Sequence, residues 1–300
     1  MNGEKNSVIA VLEAIAEHSE ISRAALSELT GFSLMTVGKA VDELEKGGII
    51  VQRKQSSGAV GRKMSVCNVK PDCGMLIYDF TDENCRVRIC DLVLDVRGEY
   101  QSSAKALSDL MVEGFGYFFE TFGGELIGIG AVVPDGQKNE MLPLITSALG
   151  NPSDLVIEAK NAYVAANLRR FDAVGMSAFI RLFANNTADC SIVRDGFIYN
   201  GAHERAGSVF NKIRARDEIP ARICDLCAVL DPVLIHIACE TDSDAGRIVG
   251  EVSTALHDYG IEPECQPEII AQPIDKCLTA ADGAAILLRE RLIMQKMAKK

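Results

Sequence analysis

The sequence lacks several features, and each absence excludes a class of protein or contact. Tryptophan is absent, so no indole can stack on a sugar ring. The longest uninterrupted apolar stretch runs only from Leu126 to Val133, far below the roughly 18 residues that a membrane-spanning helix needs. Glu4, Glu13 and Glu17 interrupt the apolar positions near the start, unlike a secretory signal. We therefore expect no membrane contact and a cytoplasmic protein.

Basic residues are the minority, with 31 Lys and Arg against 42 Asp and Glu and a net charge of -11. A surface of that charge repels nucleic-acid phosphates, but the charges are unevenly distributed. Residues 1–70 hold nine basic and eight acidic residues, a net of +1, which leaves -12 for residues 71–300. Between positions 46 and 71 there are six basic residues and no acidic one, which indicates a local cationic strip.

Cysteine is abundant, with ten residues, but the pattern does not indicate a disulfide framework. The cysteines are scattered along an acidic chain without an export signal, so we expect reduced and mostly buried thiols. Cys224 and Cys227 form the only Cys-x-x-Cys pair, and a second pair with metal spacing is missing. We interpret these two as thiols on a buried helix, and we predict no metal site and no cofactor.

Two short helices are predicted in the first thirty residues. The first has Ser7 available as its cap and one apolar stripe, formed by Val8, Leu12 and Ile15. The second begins after Ser22, whose hydroxyl can cap it, and we expect Leu26 and Leu29 to face inward. Gly31 ends this helix, because glycine tolerates the positive φ that a tight turn between crossing helices requires.

The third predicted helix, from Leu34 to Lys46, has the pattern of a recognition helix in a helix-turn-helix. Ser33 is its expected cap. The inward positions recur at i, i+4 and i+7, namely Val37, Val41 and Leu44. The outward side of its first turns carries Met35, Thr36 and Lys39. In a helix-turn-helix this part enters the major groove, where Thr and Lys reach base edges or phosphates.

A β-hairpin wing is predicted after the third helix. Strand-like runs cover 49–53 and 64–69, and the segment between them is rich in Ser and Gly. Basic residues flank the tip and would lie near the DNA backbone or minor groove. The predicted DNA-binding residues are Ser22, Arg23, Ser33, Met35, Thr36, Lys39, Arg53, Lys54, Arg62 and Lys63. The alternative is an interaction module whose charges are merely solvated, but the order of these features favours a DNA-binding domain at residues 1–70.

The remainder, residues 71–300, has an α/β pattern that occurs twice. Three short β-like runs, at 75–80, 86–92 and 94–99, precede a helix and the apolar run at 126–133, which suits a buried parallel strand. A comparable series of strands and helices follows from Met176 onward. Two lobes are therefore predicted, and such bodies normally bind a ligand in the cleft between them.

The order of these segments resembles the ROK family of sugar-responsive repressors and sugar kinases over nearly the whole chain. The strongest similarity covers the helix-turn-helix and the wing sequence from Ser57 to Lys63. Weaker similarities lie at 128–134, 201–207, 230–232 and 283–285. The resemblance implies an α/β body of two actin/hexokinase-like (ribonuclease H-like) lobes, preceded by a small winged helix-turn-helix domain.

The departures from the family's kinase motifs imply a loss of catalysis. The first phosphate turn reads Asp79-Phe80-Thr81-Asp82-Glu83-Asn84, with no glycine to expose amides and two acids that repel phosphate. The second, Asn186 to Asp189, also lacks glycine. Lys160 occupies the position of the catalytic aspartate, and a protonated lysine cannot accept a proton. The run from Ala206 to Asn211 lacks the family's sugar-binding glutamate and its zinc-binding histidine.

These inferences predict a homodimeric DNA-binding transcriptional regulator that acts as a repressor and is not an enzyme. Its partners would be double-stranded DNA, a second copy of the chain and a small polar effector such as a sugar or sugar phosphate. Candidate cleft residues are Glu158, Lys160, Asn161, His203 and Glu204, with solvated surface as the alternative. Two other functions stay open, namely a sugar kinase with a non-standard site and a ligand-blind DNA-binding or dimerisation protein.

Overall fold

The computed structural model describes residues 2–55, 64–149, 154–168, 175–183, 188–194, 197–199, 201–203, 205–208, 210 and 217–298. Their helices are α1 (Asn2–His18), α2 (Arg23–Thr30), α3 (Leu34–Lys46), α4 (Leu107–Thr121), α5 (Lys138–Leu149), α6 (Ala159–Leu168), α7 (Glu218–Leu230), α8 (Asp242–Asp258) and α9 (Ala280–Ala298). In this part of the chain no helix has the length and apolar character needed to span a bilayer.

Thirteen strands form three sheets within the described ranges. They are β1 (Ile21–Ser22), β2 (Ile50–Gln55), β3 (Met64–Val69), β4 (Cys73–Asp79), β5 (Cys85–Asp91), β6 (Val96–Ser102), β7 (Glu125–Val133), β8 (Leu155–Glu158), β9 (Met176–Leu182), β10 (Ala188–Arg194), β11 (Phe197–Tyr199), β12 (Leu234–Cys239) and β13 (Glu268–Pro273). Short 3₁₀ turns lie at Pro263–Cys265 and Ile274–Lys276.

The amino-terminal elements form three helices and a small antiparallel sheet in the order β1-β3-β2. The bounds of α3 and β3 agree with the prediction. Two details of the prediction were wrong. Ser7 does not cap α1, because the helix begins at Asn2 and Ser7 is buried inside it. Leu29 is 54% exposed, since the buried face of the eight-residue helix α2 ends with Leu26.

The first lobe contains a five-stranded sheet in the order β6-β5-β4-β7-β8. The pairs β4–β5 and β5–β6 are antiparallel, whereas β4–β7 and β7–β8 are parallel. Strand β6 begins two residues later than predicted because Leu94, at φ 71, lies in a turn. The carboxylate of Asp91 stabilises that turn by accepting hydrogen bonds from the amides of Val93 and Asp95, both at 2.9 Å.

The second lobe repeats the strand order of the first, as β11-β10-β9-β12-β13. Here too the first three strands in the chain are antiparallel neighbours, and the last two run parallel to β9. Its core lies between the sheet and helices α7 and α8, and includes Ile223, Ile237 and Ile248. The predicted pair of α/β lobes is therefore confirmed, including the buried parallel strand at 126–133.

The chain divides into two compact units, residues 1–159 with 284–300 and residues 160–283. The first unit combines the amino-terminal helices, the first lobe and most of α9. One hydrophobic cluster in this unit contains Leu12 and Ile15 of α1, Leu92 of the first lobe and Ile293 of α9. The domain boundary at residue 70 stays a prediction, since both of its sides lie in this unit.

Candidate nucleic-acid interface

The turn between α2 and α3 has the geometry of a helix-turn-helix. Ser22 Oγ accepts a hydrogen bond from the Ala25 amide at 3.2 Å and so caps α2. Gly31 has φ 69, and its amide donates to the Ser27 carbonyl at 3.1 Å. Ser27 Oγ donates to the Phe32 carbonyl at 2.6 Å across the turn. These local hydrogen bonds set the direction in which α3 leaves the turn.

The first turn of α3 is closed by its own hydroxyl groups. Ser33 Oγ accepts from the Thr36 amide at 3.2 Å and lies 2.9 Å from Thr36 Oγ1. The predicted cap is therefore confirmed. Because the two hydroxyls bond to each other, they already have a partner within the domain.

A hydrophobic core supports the recognition helix from behind. Helix α3 buries Val37, Ala40, Val41 and Leu44. They pack in one cluster with α1, with Leu26 and with the strand residues Ile50 and Cys67. Burial raises the pKa of the Cys67 thiol, so the thiol stays neutral in this core. Packing on three sides holds α3 as a rigid element.

The opposite side of α3 is exposed at its beginning. Leu34 is 62% exposed and Met35 is 73% exposed. Lys39 is also exposed, and Thr36 is half-buried. The predicted outward side is thus present, and Leu34 is an additional exposed residue that the sequence pattern did not single out. Its spacing of three from Val37 is typical of a buried position.

Arg23 is engaged within the domain. Its guanidinium donates to Asp42 Oδ1 at 2.5 Å and to Gln52 Oε1 at 3.3 Å. Gln52 in turn donates to Glu45 at 2.5 Å and accepts from Ser65 at 3.2 Å. Arg23 therefore connects α2, α3 and the wing strands. Its role in DNA binding stays a prediction.

The wing strands present cations next to this helix. Strands β2 and β3 pair antiparallel, with Arg53 opposite Val66 and Lys54 opposite Ser65. Arg53 and Lys54 are both exposed. The other two predicted wing cations, Arg62 and Lys63, lie outside the described residues.

The segment after β3 is attached to the first lobe by Lys70, whose Nζ lies 2.9 Å from Glu125 Oε2. This contact raises the pKa of Lys70 and lowers the pKa of Glu125.

The candidate ligand residues lie in both units. Glu158 ends β8 in the first unit, where its Oε1 accepts from the Gly136 amide at 3.1 Å. Lys160 and Asn161, both half-buried, are in the first turn of α6 in the second unit. His203 is exposed in a turn, and Glu204 lies outside the described residues. Their grouping in one cleft stays a prediction.

The first phosphate turn is stabilised by its own acidic side chains. Between β4 and β5, the buried Asp79 Oδ1 accepts from the Thr81 amide at 3.1 Å and from Thr81 Oγ1 at 2.6 Å. Asp82 pairs with Arg86 at 3.4 Å. The Asp79 carboxylate thus accepts the hydrogen bond of a backbone amide that a phosphate would need. No group of potential metal ligands was found among the described residues.

The second phosphate turn is described only in part, and its last residue, Asp189, forms an ion pair with the buried Arg181. Arg181 Nε donates to Asp189 Oδ1 at 3.0 Å, and the guanidinium also contacts Oδ2. The Arg181 guanidinium carbon lies 4.8 Å from the Tyr163 ring centroid and 5.5 Å from that of Phe183. Sequence reasoning missed this cluster, because Arg181 and Asp189 meet only through the pairing of β9 with β10, and Tyr163 comes from α6.

The comparisons with known proteins agree with this geometry. A family model described as winged helix-turn-helix DNA-binding matches residues 7–51. A comparison with curated proteins gave no match. Among solved structures, a ROK family transcriptional regulator described as a homolog of the E. coli MLC protein is similar over 99% of this chain and 99% of that chain, with a TM-score of 0.67 and 15% identity.

Two further solved structures resemble a large part of the chain. A ROK family protein from Streptococcus pneumoniae, solved with sucrose, has a TM-score of 0.51 and 13% identity over 72% of this chain and 97% of that one. A ROK hexokinase from Thermus thermophilus has a TM-score of 0.53 and 11% identity over 72% and 99%. The chain therefore carries a winged helix-turn-helix domain of the DNA-binding type at its amino-terminal end, and it has the fold of a ROK family transcriptional regulator.

Proposed function

We propose that this protein is a transcriptional regulator that binds operator DNA through residues 1–70. The observation that carries the proposal is the winged helix-turn-helix at 7–51, in which α3 exposes Leu34, Met35 and Lys39 and is supported on its other side by a core. The N-terminal part of such a helix contacts base edges in the major groove. Arg53 and Lys54 on β2 add exposed cations for the phosphate backbone.

We further propose that the regulator acts as a homodimer and represses its target genes. A two-fold symmetric operator is read by paired recognition helices one helical turn apart. The acidic body, with -12 over residues 71–300, would be repelled by DNA. This charge distribution supports contact through the amino-terminal domain alone, and it leaves the body for dimer contacts and effector sensing.

The absence of enzymatic activity is also proposed, on two observations. Asp79 already binds the Thr81 amide in the first phosphate turn, and the resemblance to the family implies that Lys160 takes the position of the kinases' base. The alternative, a sugar kinase with a non-standard site, is supported by the similarity to the hexokinase fold. Sugar-dependent release of ADP from ATP by the purified protein would establish that alternative.

Effector sensing is a further part of the proposal, and another structural comparison supports it. A structurally similar ROK protein was solved with sucrose, and we propose a small polar effector, such as a sugar or sugar phosphate, bound near Glu158, Lys160, Asn161, His203 and Glu204. A ligand that binds only the native state raises stability, by about 2.7 kcal/mol at a concentration 100 times Kd. Thermal unfolding across a panel of sugars and sugar phosphates measures this. No shift with any of them would favour the ligand-blind alternative.

The proposed function is tested by recovering genomic fragments on the full-length protein at moderate salt and sequencing them. We expect a recurring palindromic site. Lys39→Ala should weaken binding to that site several-fold and reduce the salt dependence by about one phosphate contact. Lys105→Ala removes the same charge from an exposed position of the first lobe and serves as the matched control. Sequence-independent recovery, or equal effects of the two variants, would contradict the proposal.

A further inference from the structure

The polar groups at the start of α3 are largely used within the domain. The Ser33 and Thr36 hydroxyls bond to each other at 2.9 Å. Arg23, the nearest cation on α2, is held by Asp42 and Gln52. Direct reading of base edges by hydrogen bonds needs free donors or acceptors. The bond between the two hydroxyls uses one of their two donor protons, which leaves one for a base edge.

The same turn instead exposes two large apolar side chains. Leu34 is 62% exposed and Met35 is 73% exposed. They occupy the first two positions of α3, which is the part of a recognition helix that meets base edges. Neither side chain carries a strong hydrogen-bond donor or acceptor, so each offers an apolar contact surface.

Base pairs offer one apolar group in the major groove, the C5 methyl of thymine. We infer that Leu34 and Met35 read thymine through this methyl group, at operator positions that face the start of α3. The inference rests on the proposed DNA binding and specifies which base is recognised. Lys39, one turn further along, is left for a phosphate and contributes affinity rather than base choice.

Substitution of thymine by deoxyuridine tests the inference, because uracil keeps every hydrogen-bonding group and lacks only the methyl. An operator is first selected with the full-length protein from random duplex DNA. Each thymine is then replaced singly, and affinity is measured by fluorescence anisotropy at constant salt. We expect at least one thymine in each half-site at which uracil weakens binding about fourfold, the equivalent of one buried methyl group.

Two variants identify the side chains that make the contact, and two more serve as controls. Met35→Ala and Leu34→Ala should each bring the thymine-to-uracil ratio close to one at the position that the side chain touches. Lys39→Ala should weaken binding to both probes and leave the ratio near four. Val229→Ala removes an equally apolar side chain, 79% exposed on α7, and should leave both affinity and ratio unchanged.

The outcomes separate this inference from the proposed function. If the protein selects a specific operator but binds every uracil-substituted version as tightly as the original, thymine methyl reading is wrong and the regulator remains. The same holds if the ratio is fourfold but unchanged in both apolar variants. If no operator is selected at all, both the inference and the proposed function are overturned.

Discussion

Replacing Ile293 with alanine tests whether the DNA-binding helices depend on the body for their stability. Ile293 is 1% exposed on α9 and shares one hydrophobic cluster with Leu12 and Ile15 of α1 and with Leu92 of the first lobe. A second contact joins the same helices, because Arg289 on α9 donates to Glu13 on α1 at 3.4 Å and to the Leu92 carbonyl at 3.4 Å.

The expected loss of stability follows from the size of the deletion. An isoleucine truncated to alanine in a close-packed core costs about 2–5 kcal/mol, from lost transfer free energy and from the cavity that remains. At about 3 kcal/mol, opening of the first unit becomes about a hundred times more frequent. Because α1 and α3 belong to the same cluster, their amides should exchange faster as well.

Native-state hydrogen exchange read by mass spectrometry measures this loss in each helix. Peptides from α1 and α3 report on the DNA-binding helices, and peptides from α7 and α8 report on the second unit. Ile248→Ala is the matched control, since Ile248 is 2% exposed and lies in the core of the second unit. We expect Ile293→Ala to accelerate exchange in α1 and α3, and Ile248→Ala to accelerate it in α7 and α8.

One result would refute the reasoning. If Ile293→Ala accelerates exchange in α9 while α1 and α3 keep the wild-type rates, the amino-terminal helices are stable on their own. The boundary predicted at residue 70 would then be a folding boundary as well.

Three further predictions concern single positions. Gly31→Ala should lower the stability of the protein by about 1 kcal/mol, because Gly31 has φ 69. Gly116→Ala inside α4, where a Cβ would meet open space, should raise the stability by about 0.5–1 kcal/mol. Thermal unfolding compares the two variants, and a change of the same sign in both would contradict the prediction. Asp189→Ala removes the carboxylate that binds the buried Arg181 and should cost roughly 3–5 kcal/mol in urea unfolding; a loss below about 1 kcal/mol contradicts a buried pair. Nine of the ten cysteines are buried, and burial raises the pKa of three of them to about 11 or 12. A thiol reagent at pH 8 should therefore modify Cys265 rapidly and the other cysteines only after unfolding. Rapid modification of several thiols in the native protein would disprove this prediction.

The sequence predicted α3 with its observed bounds because several local signals agree there. Ser33 caps the helix, and the inward residues Val37, Val41 and Leu44 have helical spacing. Each of these acts over a few residues and can be read without the tertiary structure. The repeated α/β pattern of the lobes was predicted for the same reason.

Other parts depend on the tertiary structure and were missed. Helix α5 contains Pro143, a residue that normally interrupts a helical pattern, and no helix was predicted there. Leu34 has the spacing of a buried residue, but it lies in the first turn and is exposed. The partners of Arg23 are 19 and 29 residues away, so periodicity gives no sign of them. The exposure of Leu34 beside the predicted outward residue Met35 was therefore visible only in the structure.

Helix α9 follows the second unit in the chain but packs in the first. During synthesis the amino-terminal helices therefore leave the ribosome long before Ile293 can join Leu12 and Ile15 in their cluster. The first unit completes its core only after residues 284–293 have emerged, and a chain interrupted before them would lack that contact. Such a fragment would lack the packing of α9 on α1, so the core of the amino-terminal helices is completed by a segment that is translated after the whole second unit.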